Sequence, residues 1–477
     1  MKKNISEIYF KKLFKILNKT SHLKLFYLPE INSINYFSRD YDIYRYKNFF
    51  SIKKLIDKDY FIFNPKKFKN TRVVFLTHYL GKKLLCEQDF YYGNLFKILK
   101  SKKINFTVFM LNKSSESINE IKKNFKNFKY STVIINNYSH PIKDFKITIY
   151  TVFLYLRFLI SRNKIKLDSF ENRIIKNKIN LKSFLKARTS IKIFNSIKTV
   201  IEKYENKIKN FVTTYEGHVF EKIIFDYCKK KEIVSVGYFF SVIRKEKLCV
   251  LYPYPDYISP NKLFLTGSVV KNFFIKNLGL NNKIVVVGSG RNFIRKKFEF
   301  KNLLKNKIKV LFCPEGIYPE SVAMYNLAAR ISEISKDIFP IIRFHPELDQ
   351  KKLFNDQKIL KNSYNNIEIS KNSLEYDMLE SDFLIYRGSS MCVNAVFAGV
   401  FPIYFKQKQE NSIDPLFEVN KYIAYSADHL LSLINKVRNP LNASKINEYM
   451  LSLRSYSSSY FENLNTKIII KNLKNAI

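Results

Sequence analysis

Several residue types are scarce in this sequence, and each scarcity narrows the class of protein. Among 477 residues there are 11 glycines, 5 cysteines and no tryptophan. The cysteines are dispersed without a Cys-x-x-Cys pair, which argues against a disulfide framework or a zinc site and fits a reducing cytoplasm. The sequence also lacks a P-loop, a Gly-x-Ser-x-Gly motif and a histidine cluster with the spacing of metal ligands. We therefore expect no bound metal and no cofactor.

Acidic residues are also few, and 83 basic against 40 acidic side chains give a net charge of +43. A field of that sign attracts polyanions, namely nucleic acid, anionic lipid head groups or phosphorylated substrates. The lysines are spread along the chain, as at Lys229-Lys230-Lys231, and form no basic tail or arginine-rich tract. We interpret most of them as solvated faces with a bias toward an acidic membrane surface, and we expect no nucleic acid among the partners.

No apolar run in the sequence is long enough to cross a bilayer. The most apolar stretch, residues 147–160, is too short and contains Arg157. It is either a buried helix or strand, or a helix that docks on a membrane. The start of the chain, Met1-Lys2-Lys3-Asn4, is basic and leads into an amphipathic helix rather than a secretory signal. These features predict a cytoplasmic protein that can contact the inner membrane peripherally.

The sequence does contain a regular alternation of buried strands and helices. Val73-Val74-Phe75-Leu76-Thr77 is a continuous apolar run, typical of a parallel strand buried on both faces. Strands and helices then alternate, which predicts an α/β fold with doubly wound parallel sheets. The further predicted strands are residues 106–111, 131–136, 211–214, 234–238, 262–266, 284–288, 310–312, 340–344, 367–369, 382–386 and 401–405.

This alternation divides the chain into two Rossmann-like domains. We place the first at residues 71–290 and the second at residues 291–425. Residues 1–70 are treated as an N-terminal extension, and residues 426–477 as C-terminal helices. The tract Gly288-Ser289-Gly290 is too short for a dinucleotide fingerprint and is interpreted as the hinge between the domains.

Three unusual sequences stand where predicted strands end, and they are Tyr215-Glu216-Gly217, His345-Pro346 and Gly388-Ser389-Ser390. Ligands bind at the carboxyl ends of strands in open α/β sheets, which motivates a functional interpretation. Glu216 is either a general base for a hydroxyl or an acid favoured by the dipole of the next helix. Glu221 is an alternative residue for that second role.

The histidine and the serines also have two interpretations each. His345 either binds or protonates a phosphate leaving group, or is a structural residue. Ser389 and Ser390 either hold a phosphate at a helix start or cap that helix. At a further strand end, in Glu315-Gly316, Glu315 together with Glu320 either binds ribose or base, or begins a helix.

The Glu-Gly, His-Pro and Ser-Ser pairs, in that order across two Rossmann-like halves, resemble the motifs of bacterial GT-B sialyltransferases and polysialyltransferases. The segment from Thr214 to Lys222, with Gly237-Tyr238, is also similar to a broader group of surface-carbohydrate biosynthesis proteins. The resemblance covers residues 210–405. It implies the GT-B fold, with two Rossmann-like domains facing across a cleft, and a metal-independent glycosyltransferase that inverts the anomeric centre.

The resemblance also implies roles for individual residues. Glu216 would be the general base, flanked by Tyr215 and Gly217 in the substrate site. His345 and Pro346 would contact the phosphate of a CMP-sugar donor. The same donor site would include Gly388, Ser389, Ser390, Glu315 and Gly316.

The implied partners are a nucleotide-sugar donor and a glycan or lipid-linked glycan acceptor, as in capsule or lipopolysaccharide synthesis. The first acidic position of the family's motif is Tyr215 here, which leaves sialic acid, Kdo or another nonulosonic acid open as the transferred sugar. Asp40-Tyr41-Asp42 matches the Asp-x-Asp of metal-dependent glycosyltransferases, but it lies outside the strand and helix alternation. Four other functions stay open: a CDP-polyol phosphotransferase, a sugar-nucleotide epimerase, a basic nucleic-acid-binding protein and a non-catalytic scaffold.

Overall fold

The computed structural model describes residues 59–81, 89–114, 116–126, 130–136, 141–162, 179–203, 207–243, 258–278, 283–291, 306–345, 366–407 and 413–473, with a few isolated positions besides. The chain divides into two compact units. Unit 1 comprises Met1–Phe240, Lys247–Arg291 and Phe461–Ile477, and unit 2 comprises Ser241–Glu246 and Asn292–Tyr460.

The strands of the described residues are β1 Tyr60–Phe63, β2 Val73–Tyr79, β3 Phe106–Asn112, β4 Ser131–Ile135, β5 Asn210–Thr214, β6 Val234–Phe239, β7 Lys262–Leu265, β8 Ile284–Val286, β9 Ile308–Cys313, β10 Ile338–Ile342, β11 Glu368–Ile369, β12 Phe383–Tyr386, β13 Phe401–Phe405 and β14 Ile423–Ala424. The helices are α1 Pro65–Phe68, α2 Leu95–Ser101, α3 Ile118–Phe125, α4 Pro141–Arg162, α5 Leu181–Lys186, α6 Arg188–Lys203, α7 Val219–Lys230, α8 Ser268–Leu278, α9 Tyr318–Ile334, α10 Leu374–Glu380, α11 Met391–Phe397, α12 Ala427–Arg438, α13 Ala443–Tyr460 and α14 Thr466–Leu473. A short 3-10 helix, Pro440–Asn442, joins α12 to α13.

Unit 1 is built on an eight-stranded sheet in the order β1-β4-β3-β2-β5-β6-β7-β8. Every neighbouring pair is parallel except β1 and β4, which are antiparallel. Alternate residues of β2 enter separate clusters on the two faces, with Phe75 on one side and Val74 and Leu76 on the other. Helices cover both faces, because residues of α2 and α14 join the first cluster and residues of α6 and α7 join the second. The predicted doubly wound parallel sheet is therefore confirmed.

Unit 2 is built on a six-stranded sheet in the order β11-β10-β9-β12-β13-β14, and all its pairs are parallel. Its central strand β12 has no exposed residue, and Phe383, Leu384, Ile385 and Tyr386 are all 0% accessible. A strand that is apolar at every position fits a sheet covered on both faces. The sequence-based strands of this half all correspond to observed ones.

The structure divides the chain differently from the sequence at both edges. β1 and α1 lie within the predicted extension at residues 1–70, yet β1 pairs along its whole length with β4 of unit 1. The predicted C-terminal helices belong to two units, since α12 and α13 lie in unit 2 and α14 in unit 1. The physical reason is apolar packing: Ile469, Ile470 and Leu473 are buried in the unit 1 core.

The tract Gly288-Ser289-Gly290 ends unit 1 immediately before the chain enters unit 2 at Asn292. It is hydrogen-bonded to Phe461–Ile477, the segment that returns to unit 1 after unit 2. The N–H of Ser289 donates to the carbonyl of Glu462 over 2.8 Å. Gly288 has a left-handed φ of 81°. A Cβ on Gly288 would lie 2.1 Å from the carbonyl oxygen of Asn463. The role of this tract as a hinge stays a prediction.

Candidate functional site

The strand order of unit 2 places its switch point between β9 and β12. The chain runs from β9 outward to β10 and β11, then returns to β12 beside β9 and continues to β13 and β14. Ligands of open α/β sheets bind at the carboxyl ends of strands at such a point. Tyr386 of β12 pairs with Cys313 of β9. The turns 314–316 and 387–390 therefore begin side by side, and both contain residues that the sequence predicted for the donor site.

His345 joins these turns from the end of β10. Its imidazole packs against Gly316, where a Cβ would lie 3.0 Å from Nδ1 of His345. The side chain of His345 is otherwise exposed. The structure thus brings His345 and Gly316 together, and the absence of a side chain on Gly316 leaves the room that the imidazole occupies.

A buried ion pair lies beneath the same turns. Nε of Arg387 lies 3.3 Å from Oε2 of Glu320, and both side chains are under 5% exposed. Glu320 also accepts the backbone N–H of Glu315 over 3.0 Å. Glu320 therefore holds the start of α9, and of its two predicted roles the structure supports the helix start. Glu315 itself is partly exposed beside it.

Arg387 is a residue of this region that sequence analysis did not assign to the site. Its guanidinium carbon lies 5.9 Å from the ring centre of Phe405, and it is among the largest fully buried side chains of the protein. The sequence signal that could have identified Arg387 was a charge directly after the apolar strand β12, because arginine is almost never buried unless it is paired.

The serines occupy the start of α11. The hydroxyl of Ser389 accepts the N–H of Met391 over 3.3 Å. Ser390 is the residue before the first helical one, and no capping hydrogen bond from its side chain is present. Both serines are partly exposed, whereas Gly388 is buried. The structure therefore gives Ser389 part of the capping role and leaves the phosphate role as a prediction.

Unit 1 has its own switch point, between β2 and β5. The chain runs from β2 to β3 and β4 on one side, and from β5 to β6, β7 and β8 on the other. Leu76 of β2 pairs with Thr213 of β5. His78, near the end of β2, and Glu216, just after β5, therefore lie at the same edge of the sheet.

The turn after β5 is held by Glu221 from the first turn of α7. The carboxylate of Glu221 accepts the backbone N–H groups of Glu216 over 3.1 Å, of Gly217 over 2.8 Å and of His218 over 2.8 Å. Gly217 has a left-handed φ of 85°, which favours glycine. Glu221 is 1% exposed, and burial raises its pKa to about 7. The helix-start role proposed for Glu216 or Glu221 thus falls to Glu221.

The carboxylate of Glu216 is left at the surface of this edge. Its side chain is 29% exposed, and Oε2 lies 3.5 Å from Nε2 of His218. Burial, together with the charges of Lys113 and His218, lowers the pKa of His78 to about 3, and the charge of Glu216 opposes this shift. Glu216 therefore lies near two histidines, His218 and His78.

Tyr215 points into unit 1. It is 3% exposed, and its ring lies 5.7 Å from that of Phe225. A Cβ on Gly237 would lie 3.1 Å from Cγ of Tyr215, so the ring fills a space that Gly237 leaves. The substrate-binding role predicted for the Tyr215 side chain is not supported by this placement, and the ring acts as part of the core.

Arg291 and Asp89 are polar residues near this edge that sequence analysis missed. The guanidinium carbon of Arg291 lies 5.4 Å from the ring centres of both Phe90 and Phe240. Burial lowers the pKa of Arg291, and Tyr91, Tyr238 and Glu216 oppose that shift. Asp89 accepts the N–H groups of Tyr91 and Tyr92, each over 2.8 Å, and burial raises its pKa to about 6. The sequence signal that could have identified Arg291 was its position directly after the tract Gly288-Ser289-Gly290.

Pro346, which was predicted for the donor site, and the Asp40-Tyr41-Asp42 motif lie outside the described part of the chain. Among the described residues, no group of three or more histidine, cysteine, aspartate or glutamate side chains is arranged to hold a metal ion. Within the same residues, no helix has the length and apolar character needed to span a bilayer.

Comparison with known proteins gives matches to solved structures alone. No protein-family model matches the chain, and no curated protein matches it by sequence. A protein assigned as a UDP-N-acetylglucosamine 2-epimerase from Listeria monocytogenes matches with a TM-score of 0.51 and 10% identity, over 85% of this chain and 96% of that one.

Two further solved structures match at lower TM-scores. The UDP-GlcNAc 2-epimerase from Methanocaldococcus jannaschii is 16% identical with a TM-score of 0.45, over 85% of this chain and 99% of that one. The glycotransferase of kitacinnamycin is 10% identical with a TM-score of 0.47, over 85% of this chain and 99% of that one. At such identities the likeness concerns the fold. The two parallel-sheet units with their helices, and the likeness to the Listeria structure with its TM-score above 0.5, show a GT-B-type fold and confirm the predicted fold class.

Proposed function

We propose that the protein is a glycosyltransferase that uses a nucleotide-sugar donor, with the nucleotide bound by unit 2 and the acceptor hydroxyl deprotonated by Glu216 of unit 1. The observation that carries this proposal is the position of the candidate residues. Glu216 lies at the switch point of one sheet, and Glu315, Gly316 and the 388–390 turn lie at the switch point of the other. His345 contacts the second set through Gly316.

The hydrogen bonds of the two turns support a chemical role for the exposed glutamates. Glu221 holds the turn of unit 1, and Glu320 holds the turn of unit 2. The carboxylates of Glu216 and Glu315 are therefore not required to start the helices that follow them. A partly exposed carboxylate at a strand end is suited to accept a proton from a sugar hydroxyl.

In unit 2, the chemistry is the stabilisation of negative charge on a departing nucleotide phosphate. His345 is exposed beside the glycine turn and can donate a hydrogen bond or a proton to a phosphate oxygen. Ser389 and Ser390 are partly exposed at the adjacent turn and supply hydroxyl donors.

For the donor, we propose a CMP-activated nonulosonic acid, and for the acceptor a surface glycan or lipid-linked glycan. This finer proposal rests on the resemblance of the Glu-Gly, His-Pro and Ser-Ser pairs to bacterial sialyltransferases. The two epimerases named above are instead described as acting on UDP-N-acetylglucosamine, so the nucleotide is the first quantity to measure.

The nucleotide can be identified from the melting temperature of the full chain with CMP, CDP, UDP or GDP. A ligand at 100 times its Kd stabilises the folded state by about 2.7 kcal/mol. We expect a rise with CMP or CDP that is lost in His345→Ala and kept in His429→Ala, at a partly exposed histidine of unit 2. A rise with UDP or GDP alone would retain a nucleotide-dependent enzyme and remove the CMP donor. No rise with any nucleotide would contradict the proposal.

The role of Glu216 can be tested by transfer of sugar to a glycan acceptor with the donor so identified. We expect Glu216→Gln to lower kcat by about 10²–10⁴-fold, the usual contribution of a general base. Glu202→Gln is the matched control, because Glu202 is also exposed on unit 1. Full activity of Glu216→Gln, with an unchanged melting temperature, would contradict the assigned role.

A sugar-nucleotide epimerase is a second candidate, favoured by the likeness to the Listeria structure with a TM-score above 0.5. An epimerase would convert the donor without any acceptor, whereas a glycosyltransferase would release nucleotide and add mass to the acceptor. Incubation of the protein with donor alone, followed by chromatography of the sugar nucleotide, separates the two.

A further inference from the structure

Helix α4 has two apolar sides, and one of them is uncovered. The inner side packs against α5 and α6, where Phe158 is 0% exposed and its ring lies 6.0 Å from that of Phe184. On the opposite side, six large apolar residues are each more than half exposed. These residues, which we call the α4 stripe, are Ile142, Phe145, Ile149, Phe153, Leu156 and Ile160.

The α4 stripe follows the helical repeat. Its members recur at intervals of three or four residues, which places them on one side of the helix in a band about 27 Å long at 1.5 Å per residue. A contiguous apolar band of this size is unusual on a monomeric protein and marks an interaction surface.

The charges around the stripe are of one sign. Lys146 and Arg157 are exposed along one border of it. The helix contains a single acidic residue, Asp144, which is turned away into ion pairs with Arg188 and Lys192. The described residues of α4 that are exposed are thus all apolar or cationic, on a protein with a net charge of +43.

We infer that the α4 stripe docks unit 1 on the surface of an anionic lipid bilayer. A helix with an apolar face bordered by lysine and arginine inserts that face by about 5–10 Å between lipid head groups, while the cations meet anionic phosphates. The charge complementarity favours an anionic membrane over a second copy of this chain, whose surface would carry the same positive field. This docking is independent of the nucleotide and of Glu216, so it goes beyond the proposed function.

Co-sedimentation of the full chain with vesicles of phosphatidylglycerol and phosphatidylcholine tests the inference. We expect the double variant Phe145→Glu with Phe153→Glu to have a partition constant for the vesicles that is at least tenfold lower. The matched control is Leu441→Glu with Leu451→Glu, at exposed apolar residues of unit 2 that are 89% and 54% accessible. The control should bind within twofold of the natural sequence. Equal binding of the stripe variant and the natural sequence would overturn the inference, because charge alone would then explain the adsorption.

A second measurement reports insertion directly. The protein has no tryptophan, so Phe153→Trp introduces a single tryptophan, on the stripe, whose emission can be excited apart from that of the tyrosines. Leu451→Trp is the control at nearly the same exposure, 54% against 56%. We expect the emission of the Phe153→Trp protein to shift to shorter wavelength with anionic vesicles and to be quenched by brominated lipid, and that of Leu451→Trp to change in neither way. No shift at position 153, or a stripe-dependent dimer in light scattering without vesicle binding, would overturn the inference.

Discussion

Glu221 and Glu320 each accept the backbone N–H of a glutamate five residues earlier in the chain. Both stand in the first turn of the helix that follows a switch-point strand, and both are buried. The segments read Glu216-Gly217-x-x-x-Glu221 and Glu315-Gly316-x-x-x-Glu320, so the two units share a local motif. In each, a buried glutamate holds the turn and an earlier glutamate reaches the surface.

Replacement of the buried glutamates should lower stability more than replacement of the exposed ones. Glu221→Ala leaves three backbone N–H groups without their acceptor, and we expect a loss of about 2–4 kcal/mol in the free energy of unfolding. Glu320→Ala leaves the buried guanidinium of Arg387 without its carboxylate, and we expect a loss of about 3–5 kcal/mol. Urea unfolding measures both. Glu216→Ala and Glu315→Ala serve as controls, expected within about 1 kcal/mol of the natural sequence.

His78 should make stability depend on pH below neutrality. Burial lowers its pKa in the folded state to about 3, against an ordinary value of 6.5. The unfolded chain therefore binds the proton first as pH falls, so this contribution to stability is complete above pH 6.5 and is lost progressively toward pH 3.

The test of His78 compares unfolding by urea between pH 6.5 and pH 4 in the natural sequence and in His78→Gln. Asp89 has the opposite effect in part of this range, because burial raises its pKa from 3.8 to about 6. The difference between the two proteins therefore isolates His78. We expect the variant to lose less stability on acidification, and the control His429→Gln, at a partly exposed histidine, to match the natural sequence.

Gly316→Ala should impair nucleotide binding without unfolding the protein. The added Cβ would lie 3.0 Å from Nδ1 of His345, so the imidazole must move away from the turn. The required shift is only a few tenths of an ångström, so we expect a loss of stability below about 1 kcal/mol. Titration with the preferred nucleotide should show at least a tenfold higher Kd. An unchanged Kd would mean that His345 does not contact the nucleotide.

Gly288→Ala should lower the free energy of unfolding much more than Gly316→Ala. Its φ of 81° is strained for alanine, and the Cβ would lie 2.1 Å from the backbone oxygen of Asn463, which is held in the sheet edge of unit 1. We expect a loss of about 3 kcal/mol or more in the free energy of unfolding. Thermal unfolding measures it, and an effect below 1 kcal/mol would contradict the close approach of these two segments.

Most of the sheets could be predicted because their strands are apolar at nearly every position. β1 could not, because its four residues pair with β4 more than sixty positions away, and no local pattern identifies that partner. The membership of α14 in unit 1 depends in the same way on distant packing. At the site, strand ends identified Glu216, Glu315 and His345. The burial of Tyr215 could not be inferred, because it follows from the space left by Gly237 on the neighbouring strand.

The return of α14 to unit 1 has a consequence for synthesis on the ribosome. The apolar residues of the helix α14 complete a core whose strands all lie before Asn292 in the chain. The unit 2 segment from Asn292 to Tyr460 is translated after those strands and before α14. At usual elongation rates this delay lasts on the order of ten to thirty seconds. During that time nascent unit 1 exposes the apolar groove that α14 later fills, so a chaperone that binds such surfaces has its longest opportunity there.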